Sequence, residues 1–387
     1  MQVYGFIRKF QCLGEKCEDT CCKGWGMQVD ASHKALYRER APELLSAVTS
    51  GESGCVMKRD AATDYCVKFA DGLCAIHRDY GTDFLSDACH FFPRITRKFG
   101  NEMRMSGALS CPEAARLALF EEDAFTLEKI TLERLPGTLK DYLPQGITAE
   151  DASTITAAIM QMAGDASLAP GAIMERTLSL ANSLKNTEPA RWKHGIPMLV
   201  GMADKLLPPA EKNAHDSYFL LQILAAIVHA THKSAPPRLA EVMEQMRNAL
   251  GVTIDPLTLD ILLAPGKENH VAELHTRWQQ GAAEAMAPAL RRWIQAQLAM
   301  ADFPFSGFGG NVRECAVILC IRFATVRLAL MAHLDAHGAP PDDATVVRVV
   351  QSLSRFLDHL AEPALSLNLY RDAGWMHDAR LRGLLAE

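Results

Sequence analysis

Apolar side chains recur at helical spacing along most of the chain after residue 112. The clearest segment predicts a helix that begins after Thr148, where Thr148 and Asp151 form a capping box with Asp in place of Glu, and that stops at Gly164. Its apolar positions are Ile155, Ala158, Ile159 and Met162. These positions share one face, so the helix is predicted to pack against a core.

The same periodicity, with Pro or Gly at segment ends, predicts five further helices. They are Tyr218 to His229 between Pro208-Pro209 and Pro236-Pro237, Leu239 to Leu250 before Gly251, Leu290 to Met300, Asn311 to Leu334, and Asp343 to Leu360. The segment from Asn311 to Leu334 is long and largely apolar, which predicts a central position. No strand of useful length is predicted after residue 112, which argues against a parallel-sheet enzyme fold.

Composition changes near residue 112, from a segment rich in Cys, Gly and Asp to one rich in Leu, Ala and Met. We therefore predict a mainly α fold with two parts. A cysteine-rich, loop-rich metal-binding domain occupies residues 1–118, and an α-helical domain occupies residues 119–387. The region 135–146 is a candidate hinge, because it contains Pro136, Gly137, Pro144 and Gly146.

Charge and hydropathy exclude some classes of partner. The 387 residues carry 40 basic and 46 acidic side chains, a formal net charge of −6, so no nucleic-acid-binding surface is predicted. The first residues lack the apolar core and cleavage site of a secretory signal. The most apolar stretch, interpreted as Tyr218 to Val228, is too short to span a bilayer. We therefore expect a cytoplasmic protein without a membrane partner.

Cysteine placement carries the strongest chemical signal. The chain has 11 cysteines, nine of them within the first 111 residues. In a reducing compartment, such crowding indicates metal or redox chemistry more often than disulfides. The predicted metal ligands are Cys12, Cys17, Cys21, Cys22, Cys66, Cys74, Cys89 and Cys111. Vicinal cysteines rarely both ligate one ion, so either Cys21 or Cys22 is expected to lie outside the ligand set.

The other three cysteines are interpreted differently. Cys55 is equally compatible with a ligand and with a buried apolar side chain. Cys315 and Cys320 lie five residues apart on an apolar helix, so their side chains point about 140° apart and are interpreted as core. Among nearby histidines His33, His77 and His90, a hydrogen-bonding role is favoured over ligation.

Spacing alone leaves zinc and an iron–sulfur cluster open, because four thiolates satisfy either one. The chain lacks the double CxxC pattern of zinc ribbons and the CxxCxxC run of bacterial ferredoxins. It also lacks the CxxxCxxC loop of radical S-adenosylmethionine enzymes, since Cys22 directly follows Cys21. A radical mechanism of the usual type is therefore not predicted.

The cysteine segments resemble those of the flagellin lysine-N-methylases. The resemblance rests on the stretch from Phe10 to Trp25 and on the motifs CAIH, LSDACHFFPR and LSCPEAAR, with a weaker similarity near Phe303-Pro304-Phe305. The N-terminal pattern also resembles small zinc- or iron-chelating domains. The resemblance implies a cytoplasmic enzyme that transfers a methyl group from S-adenosylmethionine to lysines of flagellin. It also implies a bound metal, in the form of a [4Fe–4S] cluster.

A methyl-donor pocket is harder to locate in the sequence. The candidate cofactor-binding residues are Gly307, Gly309 and Gly310, in the turn before the long apolar helix. No strand precedes this turn, so a plain loop that starts a helix is the competing interpretation. No catalytic base can be assigned from the sequence.

Two other classes of function compete with the methylase. One is a non-catalytic metal-binding or redox module with a helical platform for protein interaction, which the missing cofactor motif favours. The other is an iron–sulfur oxidoreductase, which lacks support because the chain shows no flavin or nicotinamide motif.

Overall fold

The computed structural model describes residues 1–51, 54–137, 139–202, 207–232, 235–255, 258–267, 269–359 and 363–386. Helices make up 56% of the structure and strands 12%, which confirms the predicted mainly α class. The division into domains at residue 118 stays a prediction.

Sixteen α-helices lie within the described ranges. In chain order they are α1 (Gly5–Arg8), α2 (Ala31–Arg40), α3 (Ala75–Tyr80), α4 (Asp87–Phe91), α5 (Pro112–Phe120), α6 (Ala149–Ala163), α7 (Pro170–Leu184), α8 (Trp192–Met202), α9 (Asp216–His232), α10 (Pro237–Leu250), α11 (His270–Arg277), α12 (Ala283–Ala301), α13 (Val312–His337), α14 (Asp343–Leu357), α15 (Pro363–Asp372) and α16 (Asp378–Leu385).

The strands are short and most of them precede residue 112. They are β1 (Gln2–Tyr4), β2 (Val48–Gly51), β3 (Gly54–Met57), β4 (Phe69–Ala70), β5 (Leu73–Cys74), β6 (Arg94–Phe99), β7 (Glu102–Gly107), β8 (Leu127–Lys129), β9 (Val252–Ile254) and β10 (Ile261–Leu263). One four-stranded sheet has the order β6-β7-β1-β8, with β1 parallel to β7 and antiparallel to β8. The other strands pair as β2-β3, β4-β5 and β9-β10.

Most predicted helices form close to their expected bounds. The capping box of α6 is present: the Thr148 hydroxyl accepts from the Asp151 amide at 3.1 Å, and the Asp151 carboxylate accepts from the Thr148 amide. Gly251 ends α10 with a positive φ of 65°. The helix predicted from Asp343 to Leu360 ends at Leu357, and Leu360 lies outside the described residues. Three short strands, β8, β9 and β10, follow residue 112 and were not predicted, and β8 completes the N-terminal sheet across residue 118.

Helix α13 forms the centre of the helical part, as its apolar sequence predicts. It packs against α7, α10, α14 and α16, and residues Cys315 to Ala332 are buried without interruption. By length and composition α13 could cross a membrane, a possibility that the sequence analysis weighed only for the shorter stretch from Tyr218 to Val228. Because the whole of its most apolar window is buried inside the protein, α13 is a core helix.

Two hydrophobic cores underlie the fold. The larger core joins α1, the sheet around β1 and the helices from α5 onward. A smaller core gathers buried residues between Met27 and Phe84, with Tyr37, Leu44 and Ile76 among them. Cysteines Cys22, Cys74 and Cys89 pack against this smaller core and Cys66 is part of it. The smaller core therefore carries half of the predicted metal ligands.

A buried ion network fastens the β6-β7 hairpin to the end of α12. Arg104 donates to Asp302 at 2.9 Å and to Thr156 at 2.8 Å, while Arg97 lies 3.3 Å from the second oxygen of Asp302. The Asp302 and Arg104 side chains are only 1% and 3% exposed. Asp302 follows α12 in the left-handed conformation with a φ of 45°, which turns its carboxylate into the interface.

We expect Asp302→Asn to lower the free energy of unfolding by about 3–5 kcal/mol, because removing one partner leaves buried arginines without a counter-charge. Asn tolerates the left-handed backbone of residue 302, so the substitution tests the charge. Urea unfolding followed by circular dichroism measures the change. The matched control is Glu244→Gln at the exposed pair with Arg247, for which a loss below about 1 kcal/mol is expected. Equal losses in the two variants would contradict the prediction.

Candidate functional site

Four of the predicted ligands, Cys22, Cys66, Cys74 and Cys89, come together around the smaller core, and we call them the first thiol group. The Cys66 amide donates to the Cys22 carbonyl at 2.8 Å, which joins two segments of the chain. Phe69 pairs with Cys74 in the β4-β5 hairpin, and its amide donates to the Cys66 carbonyl at 2.8 Å. Backbone pairing therefore sets three of the four positions.

The thiols of this group shift one another's acidity. The neighbouring Cys21 thiol raises the pKa of Cys22, and the Cys22 thiol in turn raises the pKa of Cys74. Burial raises the pKa of Cys89 to about 12, and the thiols of Cys74 and Cys66 contribute in the same direction. Several thiolates this close repel each other, and a bound metal cation would remove that repulsion.

Backbone amides face the sulfur atoms and favour the thiolate form. The amide of Lys68 lowers the pKa of Cys66, against the larger rise that burial causes. Cys74 immediately precedes α3, and the amides of His77 and Ile76 act on its sulfur in the same way. Such N–H groups stabilise thiolates as metal ligands, so the donor set of the first thiol group fits a metal or an iron–sulfur cluster.

Cys12, Cys17 and Cys111 form a second thiol group beside the larger core. Burial raises the pKa of Cys111 to about 12, and the thiols of Cys17 and Cys12 contribute to the rise. Cys111 precedes α5, whose amides at Glu113 and Ala114 act in the opposite direction. The Arg94 guanidinium faces Cys111 and Cys12 and packs 5.0 Å from the centre of a phenylalanine ring, so this group has its own cation.

The remaining four cysteines belong to neither group, although Cys55 packs against the smaller core and the Cys21 thiol contacts Cys22. Cys21 contributes its carbonyl to a hydrogen bond from the Trp25 indole at 2.7 Å. The Cys55 sulfur accepts from the Lys34 ammonium at 3.1 Å. Cys315 and Cys320 are buried in α13, which confirms their interpretation as core residues. The assignment of the eight predicted ligands to a metal stays a prediction.

Zinc and an iron–sulfur cluster require different distances between the sulfur atoms. Among the described residues, the sole set of three metal-donor atoms within 4.8 Å of one another is Asp30, His33 and Asp87, so no three thiol sulfurs are that close. Tetrahedral zinc with bonds of about 2.3 Å needs sulfurs about 3.8 Å apart. In a cubane cluster each sulfur binds a different iron atom, which places the sulfurs farther apart. The four thiols of the first group match the donor number of either one, so zinc and an iron–sulfur cluster both stay open.

The set around His33 is held by an arginine. Arg134 donates to Asp87 at 2.6 Å and lies 2.9 Å from Nε2 of His33, while Nδ1 of His33 lies 2.8 Å from Asp30. The guanidinium thus supplies the positive charge that a metal would supply. His33 keeps the hydrogen-bonding role favoured by the sequence. The amide of Gly137 also donates to Asp87 at 2.8 Å, so this network anchors part of the candidate hinge at 135–146.

A cavity of about 330 Å³ lies between the cysteine-rich segments and α14. Its volume falls within the range of small-molecule sites. Its lining consists of Cys21, Lys23, Gly24, Trp25, Gly26, Phe92, Ser110, Thr231, Arg355, Phe356 and His359. Cys21 adjoins the first thiol group and Ser110 adjoins Cys111 of the second, so the cavity lies next to both.

Hydrogen bonds hold the polar residues of the cavity in place. Nε2 of His359 lies 2.8 Å from the Ser110 hydroxyl. Burial lowers the pKa of His359, which favours the neutral imidazole near pH 7. Arg355 donates to the Lys23 carbonyl at 2.6 Å and pairs with Asp19 at 2.5 Å, so its charge is already balanced.

His359 and the cavity were missed by the sequence analysis. Asp358 pairs with Arg322 of α13 at 2.8 Å, with both side chains under 10% exposed, and this pair sets the position of the next residue, His359. No local motif surrounds His359, because its partners come from distant segments. Only its place near the end of the amphipathic helix α14 was visible in the sequence.

The three-glycine turn before α13 is engaged by its own helix. Asn311 caps α13 by accepting from the amides of Arg313 and Glu314 at 3.0 Å each, and the Glu314 carboxylate accepts from the Gly310 amide at 2.6 Å. Gly307 and Gly309 have positive φ values of 135° and 81°. This self-capped arrangement supports the competing interpretation of a loop that starts a helix, and the cofactor role of the glycines stays a prediction.

Comparison with known proteins defines the family. The chain is 33% identical over 140 residues to the flagellar biosynthetic protein FliU of Salmonella muenchen, which covers 33% of this chain and 83% of that protein. It is 31% identical over 137 residues to the lysine-N-methylases of Salmonella typhimurium and Salmonella choleraesuis, which covers 33% of this chain and 34% of each methylase. These proteins define a class of flagellum-associated, methyltransferase-type proteins.

The chain belongs to the flagellin lysine-N-methylase family. It matches about a third of the length of the two lysine-N-methylases. No protein-family model matches the chain, and no solved structure matches it. The site must therefore be interpreted from the structure of this chain.

We expect alkylation of the reduced, metal-free protein at pH 8 to modify Cys12 at least about tenfold faster than Cys89 or Cys111. Cys12 is exposed, whereas pKa values of about 12 keep the thiols of Cys89 and Cys111 protonated at that pH, and the thiolate is the nucleophile. Timed labelling with iodoacetamide followed by peptide mass spectrometry measures the rates. Circular dichroism must first show that removing the metal preserves the helices. Equal rates at the three sites would contradict the prediction.

Proposed function

We propose that this protein is an S-adenosylmethionine-dependent protein-lysine N-methyltransferase that acts on flagellin and carries a cysteine-ligated iron–sulfur site. The observation that carries the proposal is its 31% identity to two lysine-N-methylases, together with its relation to a flagellar biosynthetic protein. A flagellar substrate accords with the name of the flagellar biosynthetic protein FliU.

The first thiol group is the best candidate to hold the cluster. It supplies four sulfur donors, which is the number that a [4Fe–4S] cluster takes. Two of them, Cys66 and Cys74, face backbone amides that stabilise the thiolate form. When bound, the cluster would supply positive charge and folding energy to a segment with few long helices. The second thiol group supplies three of the other four predicted ligands, Cys12, Cys17 and Cys111, and has Arg94 as its own cation.

Methyl transfer to lysine places specific demands on the protein. The amine must be neutral and in line with the sulfonium methyl group, and water must be excluded. A concave site lined by apolar walls and a neutral histidine meets these demands better than an open surface. The cavity beside Trp25, Phe92 and His359 is such a site.

We expect protein purified without oxygen to contain iron and sulfide in equal amounts, and Cys74→Ser to lose most of both. A serine hydroxyl is a poor ligand for a soft iron site, so one lost ligand opens the cluster. Iron and sulfide analysis beside a visible absorption spectrum measures this. Cys55→Ser is the matched control, since Cys55 pairs with Lys34 outside both thiol groups. A colourless protein that holds zinc would replace the cluster in this proposal with a closed structural site.

Methyl transfer itself is tested with unmethylated flagellin, S-adenosylmethionine and the metal-loaded protein. We expect flagellin to gain whole methyl groups at lysines, seen by peptide mass spectrometry, and no gain when S-adenosylmethionine is omitted. Flagellin that binds without gaining mass would sink the proposal. That outcome would support the competing function, a metal-binding module that acts as an interaction platform.

A further inference from the structure

We propose that the cavity between Trp25, Phe92 and Phe356 receives the side chain of the lysine that is methylated, with Ser110 and His359 at its polar end. This inference rests on the proposed function and names where in the protein the acceptor binds.

The walls of the cavity are aromatic and come from both parts of the chain. Trp25 and Phe92 pack with ring centres 6.0 Å apart, and Trp25 is fixed by its hydrogen bond to the Cys21 carbonyl. Phe356 of α14 supplies a third aromatic side chain and is buried. A lysine side chain is a flexible apolar stem with a polar tip, so aromatic walls and one polar end match its chemistry.

Charge in the cavity disfavours an ammonium ion. Among the described residues that line it, two carry positive charge, Lys23 and Arg355, and none is a carboxylate. Lys23 packs 4.6 Å from the ring of Tyr65, and Arg355 pairs with Asp19. Desolvation and the Lys23 ammonium both lower the pKa of an entering lysine, so the site favours the neutral amine that attacks a methyl group.

The same features argue against the methyl donor as the occupant. S-adenosylmethionine carries a positive sulfonium, a positive amino group and a carboxylate. The arginine that could bind the carboxylate is already held by Asp19 at 2.5 Å. A cation from the donor would also meet the Lys23 ammonium, with no carboxylate among the described lining residues. The acceptor lysine, which loses its charge in the reaction, fits these surroundings better.

The chemical step balances with residues of the cavity. The ammonium of the acceptor lysine gives one proton to His359, which later passes it to solvent. The lone pair of the amine then forms the bond to the methyl carbon, and the carbon–sulfur bond breaks. Its electron pair stays on sulfur, so the sulfonium becomes a neutral thioether and the product is a methylammonium. His359 touches the reacting nitrogen in this assignment and is a catalytic residue, while Ser110, 2.8 Å from His359, is a positioning residue.

The first test narrows the entrance of the cavity and measures how well the two substrates still bind. Thr231 is an exposed residue of α9 on the cavity lining, so Thr231→Phe narrows the entrance without disturbing the core. With the metal-loaded full chain and unmethylated flagellin, we expect the KM for flagellin to rise about tenfold and the KM for S-adenosylmethionine to stay within twofold. Ala230→Phe is the matched control: it is the exposed neighbour outside the lining and should leave both constants unchanged.

His359→Gln provides the second test. Glutamine can keep a hydrogen bond to Ser110 but cannot take a proton, so we expect kcat to fall at least about a hundredfold, as for the loss of a general base. Iron content and the circular dichroism spectrum should match those of the unsubstituted protein. A higher KM for S-adenosylmethionine alone in Thr231→Phe would assign the cavity to the methyl donor and overturn the proposal.

Other outcomes separate this inference from the proposed function. If the unsubstituted protein methylates flagellin, and both Thr231→Phe and His359→Gln retain its constants within twofold, the acceptor site lies elsewhere and only this inference fails. If the unsubstituted protein transfers no methyl group to flagellin, the proposed function fails and the acceptor assignment fails with it.

Discussion

The buried carboxylate of Asp302 is the contact on which the arrangement of the two parts depends. It holds Arg104 and Arg97 of the β6-β7 hairpin against the end of α12, in surroundings that water does not reach. Strand β7 leads directly to Ser110 and Cys111, whose positions follow from where the hairpin is fixed. One ion network therefore sets the second thiol group and one side of the cavity. Two arginines around one carboxylate leave little freedom for the hairpin to shift, because any displacement exposes an unpaired buried charge.

Helical elements were predictable because their signals are local. The capping box at Thr148, the left-handed Gly251 and the apolar run of α13 each act within a few residues, and each is present. The β6-β7 hairpin was missed although Gly100-Asn101 is a turn signal between its strands. The residues from Glu102 to Ser106 alternate polar and apolar, but this pattern predicts one exposed face, whereas four consecutive residues of β7 from Arg104 to Gly107 are buried. Arg104 made the pattern harder to recognise, since its burial depends on a partner 198 residues away.

The candidate site was predictable only in its residue types. Counting cysteines identified the thiols, but their separation into two groups depends on contacts between segments as far apart as Cys22 and Cys66. Spacing could not reveal this, because loop lengths do not determine which loops meet. His359 was not found for the same reason: its partner Ser110 lies 249 residues away. The proposed function therefore depends on side chains whose sequence neighbourhoods carry no recognisable motif.

The loop between Cys17 and Cys21 explains why the two thiol groups and the cavity adjoin. It joins the second thiol group to the first, and between them it carries Asp19, which pairs with Arg355 at 2.5 Å and accepts from Gln351 at 2.8 Å. Gln351 also donates to the Ser110 carbonyl at 3.1 Å, so α14 is positioned by the same loop that carries the thiols. A cluster that ordered this loop would also order the cavity wall, because ligand binding and local folding share one free energy. A structural role of such a cluster would then be sufficient to make the proposed catalysis depend on it, even with every reacting group supplied by the polypeptide and the methyl donor.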